Sequence, residues 1–364
     1  MTVAQITSEL EKLAPLPLAE TFDNVGLLVG NSDMEVTGVL VTLDTLETVI
    51  DEACAKNCNL VVSFHPIIFK GLRHLNNSDY VTRTVTEAVK KNIAIYSMHT
   101  ALDNVPGGVS GKLAEVLGLK KLKTLIPKEG FIRKLVTYVP ESAGAKLLEK
   151  LFEAGAGELG NYSHCSFSTL GEGTFLPGTQ ANPALGTRGN LSREAEKQIH
   201  LTFTADREFK ILRALHDNHP YEEIAYEITT LNNPYQNLGM GMIGELDSPM
   251  APAAFLSHLK SVLKTPVIRH SELLQNTVNR VAVLGGSGAF AIGAAKSAGA
   301  DFLVTADLKY HDFFLAEGSL VLADVGHFES EQFTKNLLVD YLTEKFPNFA
   351  IRLGETHTNP VKYY

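Results

Sequence analysis

The chain has 364 residues, 45% hydrophobic and 20% charged, with a net charge of −9. That mix excludes a disordered chain and its length predicts more than one core. The acidic balance excludes a nonspecific nucleic-acid coat, and no apolar run reaches the ~18–20 residues of a membrane span.

The N-terminus lacks the basic-then-apolar order of a signal peptide, so the expected location is the cytoplasm. Three cysteines, Cys54, Cys58 and Cys165, make no disulfide framework. Cys54 and Cys58 share a helical face and read as core packing.

Strand and helix signals alternate at the start of the chain. Val36–Leu43 reads as a strand, Thr45–Asn57 as a helix, Asn59–Phe64 as a buried strand, Tyr80–Lys91 as a helix and Ile93–Met98 as a strand. The middle changes character. Arg133–Val139 reads as a strand, Ala143–Ala154 as an amphipathic helix and Gly155–Asn190 as a turn-rich stretch. Ile199–Thr204 follows as a strand, Arg207–Asn218 as a helix and Glu223–Thr230 as a strand. This is the split βαβ, ferredoxin-like order. The first grammar then returns: strand Arg280–Leu284, helix Ala289–Ala298, strand Asp301–Thr305, helix Tyr310–Glu317 and strand Ser319–Val325. A long helix over Phe328–Phe346 is stopped by Pro347. The expectation is an α/β, two-lobed core with mainly parallel βαβ sheets, residues 1–127 and 237–364, carrying an inserted ferredoxin-like α+β domain at 128–236, with Leu231–Asn237 as its exit.

Ligands of open α/β sheets gather beyond the carboxyl ends of the strands. His65 follows Phe64, His99 and Asp103 follow Met98, Asp307 and His311 follow Thr305, and His327 follows Val325. Glu331 lies four residues beyond His327, on the same helical face. Two imidazoles (His65, His327) and two carboxylates (Asp103, Glu331) from both halves of the chain predict a site for Zn, Fe, Mn or Ni rather than Ca. His99 and His311 are candidates for proton transfer, or for orienting the ligands from outside the shell. Gly285-Gly-Ser-Gly288 follows a strand and precedes a helix. It suits a phosphate cradle or tight strand-to-helix packing equally. Gly239-Met-Gly-Met-Ile-Gly244 spells a dinucleotide fingerprint but precedes no helix, and is not read as one.

At these residues the chain resembles the GTP cyclohydrolase 1 type 2 homologues, the NIF-three-like family. The motifs are Phe22-Asp-Asn-Val-Gly-Leu-Leu-Val-Gly30, Ser63-Phe-His-Pro-Ile-Ile-Phe69, His99-Thr-Ala-Leu-Asp-Asn104, Val283-Leu-Gly-Gly-Ser-Gly288, Asp307-Leu-Lys-Tyr-His311 and Gly326-His-Phe-Glu-Ser-Glu331. The resemblance implies a di-metal site on His65, Asp103, His327 and Glu331, with the glutamate bridging, inside a toroidal hexamer of trimers. One departure stands out: many members have two adjacent histidines where this chain has Phe64-His65, so the second ion loses an imidazole. One or two ions per chain are expected, nearer one.

Gly160-Asn-Tyr-Ser-His-Cys-Ser-Phe167, Gly171-Glu-Gly-Thr-Phe-Leu-Pro177 and His219-Pro-Tyr-Glu-Glu-Ile-Ala-Tyr226 are similar to the PII-like and CutA-like middle domain of the family's long members. His164, Cys165, His216 and His219 in this segment read as structural. The function implied is a metal-dependent hydrolase acting on a nucleotide or related phosphorylated heterocycle. The alternative is a non-enzymatic metal-binding ring with a sensing or partner-docking role. The cyclohydrolase reaction itself is implied by the family name alone.

Overall fold

The computed structural model describes residues 1–274 and 277–364. The chain divides into two compact units, one formed by Met1–Pro127 with Gln236–Tyr364, the other by Lys128–Tyr235.

The first unit holds two sheets. In one, the strands Val39–Thr42, Leu60–Ser63 and Ala94–Ser97 run parallel, joined at one edge by Ile351–Leu353 and at the other by antiparallel Gly26–Val29. Every residue of the three central strands is buried. A parallel sheet covered on both faces requires this, and it explains why these segments read as unbroken apolar runs. The second sheet has parallel strands Val278–Ser287, Phe302–Ala306 and Val321–Asp324. Tyr235–Met250 and Arg269–His270 flank them antiparallel, and Lys120–Lys128 forms the far edge. The N-terminal helix Val3–Leu13 is fixed by a reciprocal cap between Thr2 and Gln5 and buries Val3, Ile6 and Leu10 against the first sheet's core.

The helix expected over Phe328–Phe346 is two helices, His327–Glu331 and Thr334–Lys345. Phe333 packs into the core around Phe255 and Phe302, while Leu338 and Leu342 pack into the core around Phe64 and Tyr96. The break falls at Gln332 and Phe333, and Phe333 enters a different core from the helix that follows it. Tyr310–Ala316 is a 3₁₀ helix rather than an α-helix, ended by Glu317 in the left-handed region.

The second unit is one antiparallel sheet in the order Ser166–Phe175, Ser192–Thr204, Ile132–Pro140, Tyr226–Leu231. Helices Gly144–Glu153 and Glu208–Asn218 bury Leu147, Leu151, Ile211 and Leu215 against Leu135, Ile199 and Leu201. The stretch read as turns contains the ten-residue strand Ser166–Phe175. Its residues are almost all exposed, so it shows no inside-outside alternation to read.

In the first unit, the Thr124 hydroxyl donates to the Gln236 carbonyl at 2.8 Å, which ties the two chain segments flanking the second unit together. Replacing 128–235 by a short linker is therefore expected to leave a folded protein that still takes up metal. An insoluble or metal-free product would refute this.

Candidate metal centre

The Leu60–Ser63 strand ends one residue before Phe64-His65, and the His65 backbone N–H donates to the Leu43 carbonyl at 2.9 Å. Phe64 turns inward and is fully buried in the core, so this position contributes packing where an imidazole would have offered a ligand. His327 opens its short helix after Gly326, whose φ of +94° places it in the left-handed region. A Cβ there would stand 2.2 Å from Glu329 Oε2, so the turn requires glycine.

His65, His327 and Glu331 converge. Their ligand atoms lie within 4.8 Å of one another. Glu331 Oε2 is 3.1 Å from His65 Nε2 and 3.2 Å from His327 Nε2. Neither approach is aligned as a hydrogen bond, so Oε2 is a buried oxygen without a donor among the described residues. Ligand atoms about 2.0–2.2 Å from one ion stand roughly 3–3.5 Å apart, so this spacing fits a shared cation.

The imidazoles are oriented from behind. His65 Nδ1–H donates to Asp44 Oδ1 at 2.8 Å, and His327 Nδ1–H donates to Asp307 Oδ2 at 2.7 Å. Each carboxylate fixes the tautomer that turns the Nε2 lone pair inward. Asp44 is itself held by the Thr358 hydroxyl at 2.5 Å, and Asp307 by the Ser287 hydroxyl. Asp307 sits at φ +57°, a left-handed conformation held in place at the site. Asp44 was absent from the sequence reading, although it follows the Val36–Leu43 run just as His65 follows its own. Asp307 was noted there without a role.

Burial alone would lower the imidazole pKa values. For His65 the contacts with Asp44 and Glu331 outweigh this and raise it to about 10. For His327 the Glu331 and Asp307 contacts raise it to about 9. Burial would raise Glu331, but the two imidazoles hold it down at about 2. Asp103 closes the helix His99–Asp103 and stands outside the three-residue group. Burial, and then the Glu331 charge, push its carboxyl well above the ordinary carboxylate range. A cation beside Asp103 would favour its ionised form and offset this penalty.

These shifts set a pH dependence for the protein in chelator. Folded His65 and His327 bind protons more tightly than in the unfolded chain. Their contribution is therefore complete below about pH 6.5 and lost as pH rises through about 9 and about 10. Glu331 contributes above about pH 4.5 and loses this as pH falls towards about 2. The metal-free melting temperature is expected to decline from pH 6.5 to 10, a decline that bound metal removes. A flat profile in chelator would contradict the pairing.

His99, at φ +28°, donates from Nδ1 to Asp23 Oδ1 at 2.7 Å, and Asp23 Oδ2 also accepts from the backbone N–H and hydroxyl of Thr100. His99, Asp103, His327 and Glu331 line one cavity of about 240 Å³ together with Phe22 and Phe290. A second cavity, about 600 Å³, reaches His65 and His327 from the side of Arg269, Asn359 and Tyr363. His311 is exposed, edge-on to Tyr310 and tilted against Phe314, and lines neither cavity.

The glycine segment resolves as packing. The Gly285 N–H is directed at the Ser110 hydroxyl and the Gly286 N–H at the Ser330 hydroxyl, so neither faces a phosphate. Cys54 is exposed and Cys58 buried. His219 uses both ring nitrogens, Nε2 towards the Tyr138 carbonyl and Nδ1 for the Tyr221 N–H. Among the described residues no helix is long and apolar enough to cross a membrane.

Proteins called GTP cyclohydrolase 1 type 2 homolog from Halalkalibacterium halodurans and Bacillus subtilis are each 35% identical, covering 100% and 99% of this chain and 98% of their own. A crystal structure of a Bacillus cereus protein related to NIF3 superposes with a TM-score of 0.83 at 35% identity, covering 100% of this chain and 99% of that one. Residues 1–360 match the family described as Duf34/NIF3 (NGG1p interacting factor 3), and the chain belongs to that family.

Proposed function

We propose that the chain is a divalent-metal-dependent hydrolase acting on a nucleotide or a related phosphorylated heterocycle. The observation that carries this reading is Glu331 Oε2, buried without a donor among the described residues and lying between two imidazole nitrogens. His65, His327 and Glu331 would hold the ion, with Asp103 as a further ligand. Zn, Fe, Mn and Ni suit the imidazole and carboxylate donors. When bound, the ion supplies Lewis acidity at the cavity wall. Asp44 and Asp307 keep the Nδ1 protons in place, so the Nε2 atoms stay committed to the centre. His99, oriented by Asp23, carries a proton to or from the reacting group. Phe22 and Phe290 border the same cavity. The relatives' printed name supports a nucleotide substrate.

The working assembly in this reading is a cytoplasmic homohexamer with threefold contacts, carrying the 128–235 unit as a PII/CutA-like module. Exposed Phe167 and Leu170 on the edge strand Ser166–Phe175 support such contacts. Light scattering on the metal-loaded protein is expected to give a mass near six chains, and a metal-bound monomer would overturn it.

Metal-loaded and chelated protein incubated with a panel of nucleoside triphosphates, with products resolved by liquid chromatography, tests the activity. Turnover is expected only when loaded, and His99→Ala should abolish it while retaining metal. The core-buried Phe64 favours one second reading, a non-enzymatic metal-binding ring. It becomes the better account if loaded protein leaves every nucleotide intact.

A further inference from the structure

We infer that the 128–235 unit carries a binding pocket for a small organic cation, an amine or amidine on an apolar or aromatic body. The pocket is a cavity of about 450 Å³ walled by Tyr138, Phe175, Pro177 and Tyr221, within the size range of small-molecule sites. Glu196, on the Ser192–Thr204 strand and only 9% exposed, also lines it.

Glu196 Oε1 accepts from the Tyr221 hydroxyl at 2.7 Å. No donor among the described residues reaches its Oε2. A Cβ on Gly173 would stand 2.1 Å from Oε2, so glycine on the facing strand is what gives the carboxylate its place. A carboxylate this deeply enclosed calls for a positive partner. None of the described residues lining the cavity is Lys or Arg, and Glu222 and Glu223 add further negative charge. His219 supplies none either, since burial lowers its pKa and both ring nitrogens are already engaged.

The walls are held in place. Tyr221 is fixed by its backbone N–H to His219 Nδ1 at 3.1 Å, and its ring lies 6.0 Å from Phe175. Burial and the adjacent Glu196 keep its hydroxyl protonated, so it remains a donor and Oε2 remains the free acceptor. Two tyrosine rings and a buried carboxylate in one cavity select a cation with an apolar body, by cation–π attraction and a charged hydrogen bond. The same charges repel phosphates, so this pocket is separate in chemistry from any nucleotide site at the metal centre.

Benzamidine is the probe and benzamide its neutral match, titrated calorimetrically into the full chain. Benzamidine is expected to bind at least about tenfold more tightly than benzamide, the difference one charged hydrogen bond makes. Glu196→Gln should remove that preference without altering metal content. Gly173→Ala, which crowds Oε2, should weaken benzamidine in the same direction. Equal binding of the two probes, no binding of either at millimolar concentration, or an undiminished preference in a folded Glu196→Gln protein would each overturn the proposal. The wild-type comparison of charged and neutral probes decides the matter even if both variants fail to fold.

Discussion

Glu331→Ala is expected to strip the protein of metal. Glu331 is the only carboxylate in the three-residue group, and its Oε2 is the atom both imidazoles approach. Without it, His65 and His327 face each other with rings 5.4 Å apart and no anion between them. Elemental analysis after purification should find roughly a tenth or less of the wild-type metal. The loaded wild-type protein should melt higher than the variant, because a ligand at ~100 times its Kd adds about 2.7 kcal/mol. In chelator part of the gap should remain, because the variant also loses the Glu331 contacts that hold the protons of His65 and His327, a loss offset only in part by relieving Asp103 of a neighbouring like charge. Glu331→Gln, nearly isosteric, separates charge from volume and should lose metal just as the alanine variant does. A Glu331→Ala protein with full metal content would dismiss this assignment.

Much of this site was legible because strand ends in an open sheet are where side chains converge. His65 and His327 sit two and three residues past buried parallel strands, and Glu331 shares a helical face with His327. That logic needs only strand positions, which unbroken apolar runs reveal. It placed Asp103 near the centre but not its distance from the others, since helix His99–Asp103 starts from a left-handed His99 that no propensity predicts. It also made His311 a candidate because it follows the strand ending at Thr305, but the 3₁₀ helix Tyr310–Ala316 leaves His311 exposed beside Tyr310. The edge strand Ser166–Phe175 was illegible because exposure on both faces erases the period-two signal. The break after Glu331 was illegible for another reason. Which of two cores Phe333 enters is a tertiary fact, and the local sequence is helical throughout.

The glycine segment bears on the same centre by a route the sequence left open, and Gly286→Ala is expected to impair metal binding without unfolding the chain. Gly286 has φ +70°, and a Cβ there would stand 2.3 Å from Glu331 Oε1 and 3.4 Å from His327 Cε1. Two costs follow. An L-residue in that backbone region loses roughly 1–2 kcal/mol. The added methyl also takes the space the carboxylate occupies. The Glu331 carboxylate ends a flexible side chain, so it can swing away while the sheet persists. The Gly286 N–H bond to the Ser330 hydroxyl at 2.9 Å and the Thr305 hydroxyl bond to its carbonyl at 3.0 Å hold the backbone where it is. The metal Kd should rise at least about tenfold, since a ligand displaced by an ångström no longer completes the shell. The metal-free melting temperature should fall by no more than the backbone strain explains. Gly285→Ala is the control. Its Cβ would meet Val109 Cγ1 at 2.7 Å and Glu331 only at Cγ, 3.4 Å away. That variant should lose stability through overpacking yet keep its metal. If Gly286→Ala binds metal as tightly as the wild type, Glu331 does not need the place this glycine leaves for it. If Gly285→Ala alone loses metal, the segment acts through packing around Val109 instead.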